Sequence, residues 1–361
     1  MGHFEDRVET DIEETIEDSS EDIESGDGNG SGKKGFRINI HMILIAAIVI
    51  VLGISAYELM KWNRGETISL DPNEDTSMFD IEVLDELIPM APEDYAGHTF
   101  DDETTVLLLG NGDLAMSRED EAGLDKLIAD KAGVTVYNAS FPYPTLATRN
   151  LAMIEQNYPD DIYSLSYLAD AICTGDFSEI DRVTNTYHQD GNFTQTAAKV
   201  LKSVDYDNLD VIVIMYDASD YFQARAIENP KDDEERCTIV GSLNYSIRRI
   251  KQAYPYVRII VSSVYYTEGK DAEGKVYDPD QLDVGNGTLS NYFYNELNTC
   301  TELSVSFLDN FYGTINQNNY KDYIDLESGA DYIKLTEAGR EALATRIAYA
   351  IGKYPQDKPA D

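Results

Sequence analysis

Four short stretches place carboxylates, amides and small residues directly after apolar runs, the position where parallel α/β sheets expose reactive groups. Residues 110–115 read Gly-Asn-Gly-Asp-Leu-Ala after the apolar run 105–109, and Asn138 closes a second run at 134–138. Asp217-Ala218-Ser219-Asp220 follows the run 209–216, and Asp331-Tyr332-Ile333-Lys334-Leu335-Thr336 leads into the last helical pattern. Carboxylates at Asp113, Asp220 and Asp331 are candidates for a nucleophile, a general base or a cluster holding a divalent cation. The plainer reading is that Asp113 caps a helix or solvates its loop, in a chain with 67 acidic residues. Lys334 is a candidate clamp for a bound carboxylate or, more simply, the ion-pair partner of Asp331 that holds the last helix to the sheet. His188, in Thr-Tyr-His-Gln-Asp, is a candidate base that reads most simply as a surface histidine.

The elements that must position these residues follow from periodicity. Runs 105–109 and 134–138 flank an amphipathic segment of about twenty residues, the spacing of a βαβ unit. Run 209–216 is the most hydrophobic stretch of the domain, as expected of a central parallel strand covered on both faces. Further strands are predicted at 257–264 and 305–308, and helices at 119–132, 145–156, 194–203, 232–254, 288–303 and 336–351. Thr336 is a good N-cap for the last of these. Residues 269–287 read as a Gly, Asp and Pro-rich loop with a small hairpin. Five strands alternating with helices predict a three-layer α/β/α sandwich with a mostly parallel, flavodoxin-like sheet.

Upstream, residues 1–32 carry twelve Asp and Glu against the single base Arg7. That composition cannot bury a core and predicts a disordered acidic tail. The apolar run 38–57, interrupted only by Asn39, His41 and Ser55, has the length of about twenty residues that a bilayer requires. Lys33, Lys34 and Arg37 precede it, while Lys61 and Arg64 follow, which favours a cytoplasmic N-terminus and a large extracytoplasmic domain. The expected organisation is therefore a tail at 1–35, a single-pass transmembrane helix at 36–60, a stalk and lead-in at 61–103, the domain at 104–354 and a short tail at 355–361.

A net charge of −39 excludes nucleic acid as a partner, since phosphate binding needs clustered Lys and Arg. Three cysteines, Cys173, Cys237 and Cys300, are too few and too odd in number for a disulfide framework. No Cys or His spacing calls for a metal, and no cofactor is implied.

Together, the four blocks over residues 104–352 resemble the SGNH (GDSL-type) hydrolases. The resemblance implies an ester hydrolase or acyl transferase, often acting on acetyl groups of carbohydrates. It also implies a Ser nucleophile after the first strand, an oxyanion hole of Gly and Asn donors, and an Asp-x-x-His dyad near the C-terminus. Here the nucleophile position falls at Gly112, with Ser117 as the nearest hydroxyl. The oxyanion Gly falls near Pro142 or Tyr143, although Asn138 is present. The Gly-x-Asn-Asp block reads Asp217-Ala218-Ser219-Asp220, and the dyad reads Asp331 with Lys334 in place of His. Glycine offers no nucleophile, and a lysine with an unperturbed pKa near 10.4 is protonated at neutral pH. A carboxylate at Asp217 repels a developing oxyanion.

The expectation is a catalytically degenerate, membrane-anchored protein that binds a cell-envelope carbohydrate or a protein partner. The alternatives are an active esterase or acyltransferase with a rearranged site, and an envelope scaffold whose acidic tail recruits a cytoplasmic partner. Twenty-five tyrosines, among them Tyr163, Tyr167, Tyr221, Tyr265, Tyr266, Tyr292, Tyr312, Tyr320 and Tyr323, predict aromatic loops that either stack on a sugar or simply fill surface.

Overall fold

The computed structural model describes residues 83–150, 157–188, 192–271 and 273–354. In chain order the domain runs β1 (Thr105–Gly110), α1 (Asp113–Met116), α2 (Leu124–Ala132), β2 (Thr135–Asn138), α3 (Leu165–Thr174), α4 (Ser178–Tyr187) and α5 (Asn192–Ser203). It continues with β3 (Val211–Met215), α6 (Ser219–Phe222), α7 (Ile239–Ala253), β4 (Arg258–Ser262), β5 (Gly269–Lys270) and β6 (Val276–Tyr277). The last elements are α8 (Leu289–Leu303), β7 (Ser306–Leu308), α9 (Tyr320–Tyr323) and α10 (Glu337–Lys353).

The main sheet has the order β2-β1-β3-β4-β7, and every pairing in it is parallel. This is the predicted flavodoxin-like order. Alternation along β1 sorts the core into two faces: Leu107 and Leu109 point into one cluster, Val106 and Leu108 into the other. Leu168 of α3, Leu201 of α5, Ile247 of α7 and Phe293 of α8 complete the first cluster. Ile128 of α2 with Leu343 and Ile347 of α10 complete the second. Covering both faces explains why β3 and β4 are buried at every residue. Strands β5 and β6 form a separate antiparallel hairpin, as the Gly-rich loop foretold.

Two predicted helices are corrected. Residues 145–150 are irregular, and the rest of the predicted helix, 151–156, lies outside the described residues. The amides here bond to tertiary partners instead of the preceding turn: Leu146 and Ala147 donate to the Asp220 carboxylate, and Arg149 and Asn150 donate to Asp161 Oδ2. The helix expected from 232 begins only at Ile239, where the Thr238 side chain accepts from the Gly241 amide at 3.0 Å. At the last helix Thr336 caps as expected, accepting from Gly339 at 3.1 Å.

The lead-in packs on the exposed edge of β7. Glu86 exchanges both backbone hydrogen bonds with Phe307, at 3.0 and 2.9 Å, and Asp85 pairs with Arg346 at 2.7 Å. An extra antiparallel rung of this kind shields the edge from pairing with another chain. The acidic tail and the apolar run 38–57 lie outside the described residues. Among the described residues, no helix is long and apolar enough to cross a membrane, and all three cysteines are free.

One buried acid in this core predicts a pH response. Glu296 of α8 is sealed against the sheet, and its Oε2 accepts from the Val264 amide at 3.1 Å. Burial, only partly offset by that bond, pushes its pKa from 4.5 up to about 8. The unfolded chain therefore ionises at lower pH than the folded one. The stability that this group supplies is complete below its unfolded pKa and is lost as pH rises towards 8, at up to ~1.4 kcal/mol per pH unit. Glu296→Gln keeps an acceptor for Val264 and should flatten this decline. Urea melts at pH 5 and pH 8 measure it, and an equal decline in both proteins would remove Glu296 as its source.

Candidate active site

The loops after β1, β2 and β3 converge at the carboxyl ends of the strands. Asn111, buried, ties them together: its Nδ2 donates to Pro144 O at 2.9 Å and to Asp217 Oδ1 at 3.0 Å, while its Oδ1 accepts from the Asp217 amide at 2.8 Å. Gly112 donates to Pro142 O at 3.1 Å and stands at φ +55°. A Cβ at Gly112 would lie 2.4 Å from Asp217 Oδ2. A side-chain oxygen of Asp217 thus occupies the space into which a nucleophile on residue 112 would project.

Asp217 is 5% exposed. Its Oδ1 accepts from the Ser219 amide, the Ser219 hydroxyl and Asn111, whereas Oδ2 has no hydrogen-bond partner. Burial raises its pKa against those three bonds, and the neighbouring Asp113 charge raises it further. Ser219 therefore spends its hydroxyl on Asp217, not on the space above Gly112.

The remaining predicted residues go elsewhere. Asp113 turns away, towards α10, and forms a buried two-pronged pair with Arg340, at 2.7 Å from Nε to Oδ2 and 3.1 Å from Nη2 to Oδ1. It also accepts from the Leu335 amide at 3.2 Å. Burial still raises its pKa, the arginine offsetting part of the effect. Asp220 anchors the 145–148 loop through Leu146 and Ala147, and burial lifts it to about 7. Asn138 is buried and donates to Leu114 O at 2.8 Å while accepting from Ser140, so its amide serves the loops. Ser117 is buried and accepts from Leu124 N at 3.4 Å.

One expectation is corrected, and the other candidate residues are placed. Lys334 pairs with Asp325 at 3.2 Å, not with Asp331, which is exposed. The segment after α9 meets 334–335 through an isolated antiparallel bridge between Ile324 and Leu335 and an Asp325 N to Lys334 O bond, which brings Asp325 to the lysine. Asp113, Asp220 and Asp331 do not assemble: among the described residues, no group of three or more His, Cys, Asp or Glu could hold a metal ion. His188 lies 3.1 Å from Asp160 and edge-on to Tyr163, whose ring stacks on that of Phe141 after β2. Of the loop tyrosines, Tyr163, Tyr221, Tyr265, Tyr266 and Tyr292 are core residues, not a surface platform.

A cleft of about 540 Å³ adjoins these loops, lined by Phe222, Thr267, Glu268, Tyr277, Tyr332 and Lys334 among others. It brings Phe222, just past the third block, to the fourth, but neither Gly112 nor any residue of 217–220 lines it. Sequence reasoning missed Arg340, Tyr277 and Glu268. A charged residue one turn inside an otherwise apolar helix face was the available signal for Arg340. Only the fold of the hairpin brings Tyr277 and Glu268 to the cleft.

Five parallel strands in the order β2-β1-β3-β4-β7 thus carry the four blocks at their carboxyl ends and before the last helix. The fold is an α/β sandwich around a five-stranded parallel sheet of flavodoxin-like order. No protein-family model matches the chain, and no curated protein is similar to it. Among solved structures, a protein from Lactobacillus plantarum is similar at 14% identity, covering 71% of this chain and 99% of its own, with a TM-score of 0.45. A possible lipase from Chitinophaga pinensis is similar at 12% identity, covering 70% and 98%, with a TM-score of 0.43. A carbohydrate acetylesterase from Sinorhizobium meliloti is similar at 14% identity, covering 70% and 99%, with a TM-score of 0.38.

Proposed function

We propose that this SGNH-like domain binds a carbohydrate without cleaving it and is held at the outer face of a membrane by residues 38–57. The observation that carries this reading is the oxygen of Asp217 beside Gly112, in the space a serine nucleophile needs. Acyl transfer requires a nucleophile, a neutral base to take its proton and donors at the developing oxyanion. Residue 112 has no side chain, and the carboxyl group beside it disfavours negative charge. At the base position stands Lys334, whose charge is balanced by Asp325. Binding needs none of these groups. The adjoining cleft offers the faces of Phe222, Tyr277 and Tyr332 beside Glu268 and Lys334, the mixture of stacking surface and polar rim that suits a sugar.

The rearranged-site alternative uses Asp331 and an unidentified nucleophile; the unpartnered Oδ2 of Asp217 is a carboxyl oxygen free for that role, but the residue is only 5% exposed. The test uses the full-length protein in detergent, assayed on 4-nitrophenyl acetate and on acetylated glycans, with saccharide binding followed by calorimetry. Expected are background hydrolysis and saccharide binding that weakens in Lys334→Ala and Tyr277→Ala. Turnover well above background that is lost in Asp217→Asn would establish the enzyme instead.

A further inference from the structure

The hairpin β5–β6 borders a second cleft. It measures about 480 Å³ and is lined by Tyr266, Val276, Asp278, Gln317, Tyr320 and Lys321 among others. Glu268 and Tyr277 line both clefts. Each volume lies within the range of pockets that take one small ligand, about 300–1,000 Å³. We propose that the two clefts are consecutive subsites for a single neutral oligosaccharide chain, with Tyr277 as the platform between them. This rests on the carbohydrate reading of the first cleft.

Tyr277 is built into place. A Cβ at Gly269 would lie 2.2 Å from its Cζ, so the ring rests directly on the backbone of the facing strand, where only glycine leaves room. An aromatic ring fixed before binding loses little entropy when a sugar stacks on it. The second cleft is equally braced. The Tyr320 hydroxyl donates to Glu268 at 2.9 Å, the Tyr266 hydroxyl donates to Asp278 at 3.0 Å, and Gln317 donates to the same carboxylate at 2.6 Å. Charge selects the ligand class. Glu268, Asp278 and Asp325 face Lys270, Lys321 and Lys334 around the two clefts, leaving no net charge there, while the chain as a whole stands at −39 and repels polyanions.

Two subsites joined by one ligand convert the second contact into an intramolecular event, so affinity must grow with chain length. Calorimetry with xylo- and chito-oligosaccharides of one to six units, on the full-length protein, tests this. The expected result is a gain of about tenfold or more between the shortest binding unit and the chain that reaches both clefts. That gain should vanish in Gln317→Ala, which leaves binding of the shortest unit intact, and in Gly269→Ala, which displaces the ring. Melting curves establish that each variant is folded, and Tyr277→Ala is the companion to Gly269→Ala on the exposed hairpin. Binding that is independent of chain length and indifferent to Gln317 would overturn the two-subsite proposal while leaving the carbohydrate reading intact. No binding to any saccharide would overturn both.

Discussion

Gly112→Ser should leave ester hydrolysis at background and cost the domain about 1–3 kcal/mol of stability. Two physical terms set the cost. The residue stands at φ +55°, a conformation that glycine adopts freely and that strains other side chains. Its new Cβ would also lie 2.4 Å from Asp217 Oδ2. Asp217 cannot simply swing aside, because Ser219 and Asn111 hold its other oxygen. In Gly112→Ser/Asp217→Gly the contact disappears, so the two changes should couple and part of the stability return, as a double-mutant cycle in urea would show. Adding Lys334→His to that pair supplies a base with an ordinary pKa near neutrality. The triple variant should then hydrolyse 4-nitrophenyl acetate above the double, by up to ~100-fold, the lower end of what a positioned base contributes. Turnover in the single Gly112→Ser variant would mean that Asp217 does not block the position, and the non-catalytic reading would fall with it.

Arg340→Met should be the most damaging single change outside the apolar core, at about 3–5 kcal/mol, the usual cost of leaving one member of a buried ion pair uncompensated. Asp113 is 1% exposed and Arg340 5% exposed, and their two-pronged contact links the loop after β1 to the start of α10. Asp120 at 2.7 Å from Nη1 completes the arginine's partners at the surface. Burial already raises the pKa of Asp113, and removing the guanidinium leaves only the Leu335 amide to lower it. In the variant this carboxyl would take up a proton more readily, so the loss of stability should shrink as pH falls and grow as pH rises. Urea melts at pH 5 and pH 8 test both points. Arg340→Met/Asp113→Asn, which removes the charge as well, should recover most of the loss; failure to recover would locate the damage in packing.

The sheet was legible because its signals are local. Apolar runs of strand length, separated by helical periodicity, specify a parallel α/β sheet wherever they occur, and the N-cap at Thr336 is a contact between neighbours in sequence. The glycine at 112 and the lysine at 334 were equally plain, since they need only residue identity at the ends of those runs. Tertiary structure decided the rest. Residues 145–150 carry helical periodicity, yet Asp220 and Asp161 claim their amides from far along the chain. Lys334 had two carboxylates within reach, and an antiparallel bridge between 324 and 335 chose Asp325 over Asp331. Tyrosine is amphipathic, so its identity does not say whether it lines a cleft, like Tyr277, or fills the core, like Tyr221 and Tyr265. Above all, the oxygen of Asp217 reaches Gly112 because β1 and β3 pair in a register that sets Gly110 beside Met215. Residue types carry chemistry, but only strand register carries the distance between two of them.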